Sequence, residues 1–321
     1  MVRYIIKRFL ISILTVWVVI TATFFLMNLM PGKPYTGEKA IPKAIQENLN
    51  AKYGLDQPLI TRYFIYLKNV SRGDLGMSMT YKNREVSEII RDNFPVSADL
   101  GIRSLIFGVI AGLFLGVISA LKHNRGWDSF SMLVAIIGVS LPSFIIGTML
   151  QFGLGLKFSA FIKDLFNTDF QLFPIALWES PWHKILPSFA LGLASLALVA
   201  RLMRTSMLDV LNQDYIRTAK SKGLSYRTVV MRHTIRNAIL PVVTILGPLS
   251  AAVLTGTFVV ENIFAIPGLG KHFVQSVGMY DYTMIMGLTL FYASFLIAVN
   301  FLVDILYGII DPRIRLAKGK I

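Results

Sequence analysis

The sequence predicts an all-α integral membrane protein with six transmembrane helices, and three observations carry that prediction. The 321 residues are 54% hydrophobic and the mean hydropathy is +0.60, too apolar for a water-soluble domain of ordinary composition. Six apolar runs are each long enough to cross a bilayer core, which takes about 20 helical residues. The basic residues behind the net charge of +14 fall in short segments between those runs. That distribution orients a chain in a membrane, and no basic patch with stacking aromatics suggests nucleic-acid binding. The absence of cysteine excludes disulfides, thiol catalysis and cysteine-ligated metal.

The first run, Phe9–Met30, is longer than the core of a secretory signal and has no small-x-small cleavage site before Pro31, so it is predicted as a retained span. The others are Ala98–Leu121, Phe130–Lys157, Ile185–Met203, Ile239–Val260 and Thr283–Ile310. Backbone groups in lipid need internal partners, so each run is predicted to be helical. The amino-terminal segment carries three Lys or Arg, Lys122–Asp128 two, Arg204–Ala238 seven and the tail after Ile310 four; Phe158–Lys184 has two and Asn262–Tyr282 one. The richer side is the cytoplasmic one, which puts both termini there. The chain is thus predicted to divide into 1–30 (amino terminus and first span), 31–97 (an extracytoplasmic segment), 98–310 (a core of five spans with a cytoplasmic loop, 204–238) and 311–321 (a cytoplasmic tail).

The segment 31–97 is predicted to be folded. Ile41, Ile45, Leu49 and Tyr53 form a helical stripe that Gly54 ends, and Ile60, Tyr63, Phe64 and Leu67 form a second. Val86, Ile89 and Ile90 suggest a third, short helix before Pro95. The segment either caps the membrane domain or presents a docking surface.

Within the core, Gly108, Gly112 and Gly116 recur every four residues, which lets two helix backbones approach closely. Pro142 sits in the middle of the third span and predicts a kink, either opening a cavity or fitting a neighbour. Gln151 and Asn300 are polar positions within spans that either bond helices together or face a wet pathway. Arg103, Glu261 and Asp304 lie near span ends and read as interfacial anchors, with Arg201 or Arg204 as candidate partners of Asp304.

The chemistry of recognition concentrates in Asp214–Ser225, a polar and basic stretch between two long apolar runs. Leu208, Leu211, Tyr215 and Ala219 fall at steps of three and four and draw one apolar stripe. Arg217, Lys220 and Lys222 lie off that stripe, towards solvent. Gly223 is the residue that takes the left-handed conformation a helix end favours, and Ser225 is suited to cap the helix that follows. Two readings stand: a solvated loop that merely obeys the orientation rule, or a helix–turn–helix built to dock a soluble partner.

Arg217-Thr218-Ala219 and Gly223 occupy the positions at which the cytoplasmic loops of ABC-importer membrane subunits carry Glu-Ala-Ala, three residues, then Gly. The Glu and the first Ala are absent here, and Leu240-Pro241 come later than in sugar permeases. Both departures resemble the peptide and nickel branch. Tyr53–Pro58, Ser140–Phe144, Arg201–Leu224, Arg232–Asn237, Glu261–Gly270 and Asp311–Arg313 extend the resemblance over nearly the whole chain, and it is strongest to the B-type membrane subunits of oligopeptide permeases.

The resemblance implies a permease subunit of a bacterial cytoplasmic-membrane importer that moves oligopeptides by alternating access. It implies a homologous second permease subunit, two ATPase subunits carrying ATP and Mg, and an extracytoplasmic peptide-binding protein as partners, with no cofactor on this chain. Asp214, Tyr215, Arg217, Thr218, Ala219, Lys220, Lys222, Gly223 and Leu224 are then the residues that couple to the ATPases. Dipeptide or nickel import is the alternative within the branch; a secondary transporter or channel is the alternative outside it.

Other chemistries lack their residues. Pro267–His272 has Gly270-Lys271, but Ala265 and His272 stand where a phosphate loop needs Gly and Ser or Thr. His123, His183, His233 and His272 lie far apart and outside the spans, with no His-Glu-x-x-His pair. Ser140 in Gly138–Pro142 has no histidine within a span to activate it.

Overall fold

The computed structural model describes residues 2–29, 56–167, 171–255 and 257–310, and among these the regular structure is helical apart from one isolated antiparallel bridge between Met77 and Glu85. The stripe from Ile41 to Tyr53, Gly54 and the tail 311–321 lie outside the described residues, as does the side chain of Asp304. The helices are α1 (Val2–Leu29), α2 (Leu59–Ser71), α3 (Val86–Leu121), α4 (Gly126–Ser140), α5 (Ser143–Phe166), α6 (Ile185–Leu211), α7 (Asp214–Ser221), α8 (Tyr226–Ala238), α9 (Leu240–Thr255), α10 (Thr257–Ile263), α11 (Leu269–Gly278) and α12 (Tyr282–Ile310). Among the described residues five helices are long and apolar enough to cross a membrane, or six if the bent pair α8–α9 counts as one span.

Contacts gather the chain into two units, 1–95 with 268–321, and 96–267. In the first, α1 runs along α12. α2 meets α1 through aromatic rings: Tyr63 and Tyr66 lie 5.5 and 5.6 Å from Phe24, and the Tyr63 hydroxyl is 2.7 Å from Thr21 Oγ1. This corrects the predicted stripe. Tyr63 is buried, whereas Ile60 and Phe64 are 58% and 62% exposed, because the helix turns its two tyrosines, not its Ile60–Phe64 edge, onto α1. Burial pushes the Tyr66 phenol up to about 12.

Val86, Ile89 and Ile90 do not form a separate short helix. They open α3, which runs unbroken through Pro95. Buried faces on both sides of the proline hold the helix together. Before it, Val86, Ile89 and Ile90 pack with Leu269, Met284 and Leu288; after it, Leu100 is fully buried. Asp281 is a buried carboxylate that closes this unit. It accepts from Met284 N at 3.0 Å, capping α12, and from Thr80 N at 3.0 Å and the Ser78 hydroxyl, fastening the 78–81 turn.

The second unit is built on α6, against whose backbone two neighbouring helices, α3 and α4, pack closely. A Cβ at Gly108, Gly112 or Gly116 would stand 2.7–2.8 Å from the carbonyl oxygens of Gly192, Leu196 and Ala200, so the glycine ladder of α3 sits directly on the α6 backbone. α4 does the same through Gly138 against Leu193 O. Leu100, Ile146, Leu186, Leu196, Val260 and Phe264 fill the core between them.

Two further expectations are corrected here. The third apolar run is not one kinked helix. α4 stops at Ser140, Leu141 and Pro142 are extended (ψ 126° and 143°), and α5 starts at Ser143. Pro142 supplies no amide to continue the ladder, and its preceding residue is driven out of the helical region. Glu261 is not an interfacial anchor: it is fully buried and accepts from the Ser97 hydroxyl at 2.6 Å. A carboxylate with such a partner is tolerated inside, and the sequence alone does not reveal the partner.

Candidate coupling site

α6 ends at Leu211, and the chain turns through Asn212 and Gln213, the latter extended (φ −73°, ψ 148°), before α7 begins at Asp214. The turn resets the helical phase, so the stripe predicted through Leu208, Leu211, Tyr215 and Ala219 is broken. Ile216 is fully buried and Ala219 nearly so, while Tyr215 is 44% exposed. Ile216 and Ala219 pack on Val229 of α8 with Val210 beside them. α7 is therefore held by one small apolar seam.

The polar side chains of α7 point the other way. Asp214, Arg217, Thr218, Lys220 and Lys222 are all exposed. Arg217 lies 3.6 Å from Asp214 with both side chains largely in water, which makes the pair weak and leaves the charges available to a partner. Thr218 Oγ1 donates back to Asp214 O at 3.0 Å.

Gly223 ends the helix with φ +74°. Its N–H donates to Lys220 O at 3.0 Å, and the Leu224 N–H donates to Ala219 O at 3.4 Å, the two closing bonds of a Schellman turn. Nothing lies within 4 Å of where a Cβ on Gly223 would stand, so the backbone conformation rather than lack of space calls for glycine. Ser225 Oγ then accepts from Thr228 N at 3.3 Å and caps α8. Inside α8 the ladder widens to π geometry over Val229–Ile235, with the Thr234 hydroxyl donating to Val229 O. α9 leaves at a bend of 44°. The result is a helix–turn–helix on which Tyr215, Leu224 and Tyr226 are exposed among Arg217, Lys220, Lys222 and Arg227.

The last turns of α6 that carry this element are anchored. Arg204 donates to the buried carboxylate of Asp128 at the start of α4, Nε to Oδ1 at 2.7 Å and Nη2 to Oδ2 at 2.9 Å. Arg204 thus has Asp128 as a partner; the Asp304 side chain, for which Arg201 or Arg204 is the candidate partner, lies outside the described residues. Asp128, just ahead of the apolar stretch beginning at Phe130, also accepts from the Ser119 hydroxyl of α3, from Asn124 N at 2.9 Å and lies 3.1 Å from His123 Nδ1. The Arg204 guanidinium, seconded by Ser119, Asn124 and His123, holds its carboxyl well below the usual carboxylate range although burial pushes the other way.

The other three predicted positions lie on different elements. Pro142 is the N-cap of α5. Gln151 is committed to backbone, its Nε2 donating to Ile175 O at 2.6 Å and Ile263 O at 3.0 Å. Asn300 is exposed on α12, in the other unit. The residues missed from sequence are Ile216 and Asp128. The Asn212-Gln213 pair, polar and poor in helix propensity, is the signal that the helical phase would be lost before Ile216.

Fold and site together define a polytopic membrane protein that presents a capped, basic helix–turn–helix to water. Residues 112–316 match the family described as the binding-protein-dependent transport system inner membrane component, and residues 1–101 match its amino-terminal counterpart. The chain belongs to that family of inner-membrane transport components. It is 47% identical over 320 residues to a dipeptide transport system permease protein of Bacillus subtilis, covering 99% of each chain. It is 40% identical over 317 residues to an oligopeptide transport system permease protein of Haemophilus influenzae, covering 98% of this chain and all of the relative. Among solved structures, it resembles the inward-facing MetNI methionine ABC transporter (TM-score 0.54, 14% identity, 70% of this chain and 97% of that one). It also resembles an amino acid ABC transporter (TM-score 0.50, 16% identity, 68% and 93%). At such identities the likeness is one of fold.

Proposed function

We propose that this chain is the membrane-spanning permease subunit of an ATP-driven importer of oligopeptides, and that α7 with its Gly223 turn receives the motion of the ATPase subunits. The observation that carries the reading is the α7–α8 element itself. It is firmly capped, held by a small seam, and exposes both basic and apolar side chains to a soluble partner. Asp214, Tyr215, Arg217, Lys220, Lys222 and Leu224 make the contact; Ala219 and Gly223 shape it; Thr218 stiffens it.

Two ATPase subunits hold ATP and Mg, a homologous permease completes the pathway, and an extracytoplasmic protein delivers the peptide. Both termini and α7 face the cytoplasm, where Lys and Arg are concentrated. ATP must favour one of two states of the pathway to move it, and the docked helix is how that preference reaches α6.

A dipeptide substrate is the second reading, favoured by 47% identity to the dipeptide relative against 40% to the oligopeptide one. Purifying the chain from its native membrane tests the class. Co-isolation of two ATPases and a second permease, with ATP-dependent uptake of radiolabelled peptide by the reconstituted assembly, is expected. A homo-oligomer that transports without ATP would overturn the reading. Competition between dialanine and longer alanine peptides separates the two substrates.

A further inference from the structure

Gln151 stands where α5 leaves the ordinary helical ladder: residues Ser143–Leu150 are α-helical and Gln151–Phe158 are π. Its amide joins two separate segments, through Ile175 O at 2.6 Å and Ile263 O at 3.0 Å. The same segments are joined directly, Leu177 N–H donating to Phe264 O at 2.9 Å. Around this crosslink α5 is notched. A Cβ on Gly147 would stand 3.2 Å from the buried Phe264 ring, and one on Gly155 would stand against Ile175 Cγ2 and 3.6 Å from Ile175 Cβ. Gly147, Gln151 and Gly155 recur every four residues, and along that face α5 meets residues 263–264 and then 173–175.

Three features single out this contact. Leu177 (φ +77°) and Ala265 (φ +50°), the two non-glycine residues flanking the Leu177–Phe264 bond, are held left-handed. Such strain persists where surroundings impose it and gathers at switching segments. The π stretch is a second departure of the kind that marks functional positions. Third, α5 connects to α4 only through the extended Leu141–Pro142, which leaves α5 a ready hinge.

We propose that the 171–178 segment is a seal on the extracytoplasmic side of the pathway, latched to α5 by Gln151 and the Gly155 notch, and that it leaves α5 in every transport cycle. The inference rests on the permease reading above. A latch and a brace differ in one respect. Covalently fixing a brace in its native geometry is harmless, whereas fixing a latch stops the cycle.

The chain has no cysteine to interfere. Gly155→Cys with Ile175→Cys brings two Cβ atoms to 3.6 Å, within the range of about 3.5–4.5 Å that a disulfide spans, and removes the Cγ2 that would crowd the new side chain. The double variant is assembled with its partner subunits in proteoliposomes, and ATP-dependent uptake of radiolabelled trialanine is followed after oxidation and again after reduction. Uptake is expected to fall to the ATP-free background when oxidised and to return when reduced. An oxidised sample, its disulfide verified by mass spectrometry, that transports as fast as the reduced one overturns the proposal.

Gln151→Met is the second variant, for the case that the cysteine pair assembles poorly. A loosened latch is expected to raise ATP hydrolysis in the absence of peptide and to lower uptake per ATP. Unchanged values for both overturn the latch. Wild-type vesicles that show no ATP-dependent peptide uptake would instead sink the permease reading, and the latch with it.

Discussion

Arg204 grips Asp128 with two guanidinium nitrogens, at 2.7 and 2.9 Å, and so ties the last turns of α6 to the start of α4. The Asp128 side chain is only 7% exposed. Arg204→Met strands that carboxylate, and breaking such a pair from one side typically costs about 3–5 kcal/mol. Arg204→Met with Asp128→Asn is expected to be more stable than Arg204→Met alone. Thermal unfolding in detergent measures the order; a double variant no better than the single one would show that the ion pair is not what anchors α6.

The same carboxylate predicts a flat pH response. Its folded pKa lies below the unfolded value, so its stabilisation is fully present above the unfolded pKa of about 3.9 and is lost only as pH falls through the folded value. No change in the thermal midpoint traceable to Asp128 is expected between neutral and mildly acidic pH. Comparing Asp128→Asn with wild type across that range checks it.

His272 predicts the opposite. Burial, followed by Lys271 and Arg84, lowers its pKa, while its Nδ1 lies 3.1 Å from the Tyr81 hydroxyl. The neutral ring is the folded form, so its contribution is fully present above the unfolded pKa of about 6.5 and declines as pH falls from there towards the folded value. The protection of amides in the 78–84 turn, measured against their intrinsic exchange rates, is expected to fall in mild acid, and His272→Gln to remove that dependence. Identical acid sensitivity in the variant would assign it elsewhere.

The glycine ladder gives a sharp contrast. A Cβ at Gly112 would meet Leu196 O and Val199 Cβ, both at 2.8 Å, and backbone cannot step aside. Gly112→Val is expected to cost about 1–3 kcal/mol or more as overpacking and to lower the yield of folded protein. Gly153 has nothing within 4 Å, so Gly153→Ala is the neutral control. Detergent-stable yield reads both.

How much of this was legible follows from which forces are local. Helices and the Gly108–Gly116 contact are written in runs and spacings, which survive without knowing the neighbours. The Gly223 turn is also local, since left-handed φ is a property of one residue. Two of the failures required a partner. Glu261 reads as an anchor until Ser97 is seen beside it, and Phe64 reads as buried until Tyr63 and Tyr66 take the face against Phe24. Tyr215 was placed on the buried stripe because the phase was carried through Asn212-Gln213; one short break moved burial to Ile216. Pro142 misled in the other direction, since a kink and a full break start from the same missing amide.

The coupling claim turns on Gly223. A β-branched residue at φ +74° carries a left-handed penalty of roughly 1–2 kcal/mol, with no steric clash added because the space around it is open. That strain is too small to undo the packing of the spans, but it is relieved by opening the bonds to Lys220 O and Ala219 O and re-aiming α7. Gly223→Asn is expected to be milder, because Asn tolerates the conformation better. The direct measurement is paired, in the same membranes: ATPase co-purified per permease, and ATP-dependent uptake of labelled peptide. Gly223→Val is expected to insert and pair with the second permease normally, to retain little ATPase and to lose uptake. Wild-type ATPase content with wild-type uptake in Gly223→Val would contradict the account and leave the turn as an ordinary loop.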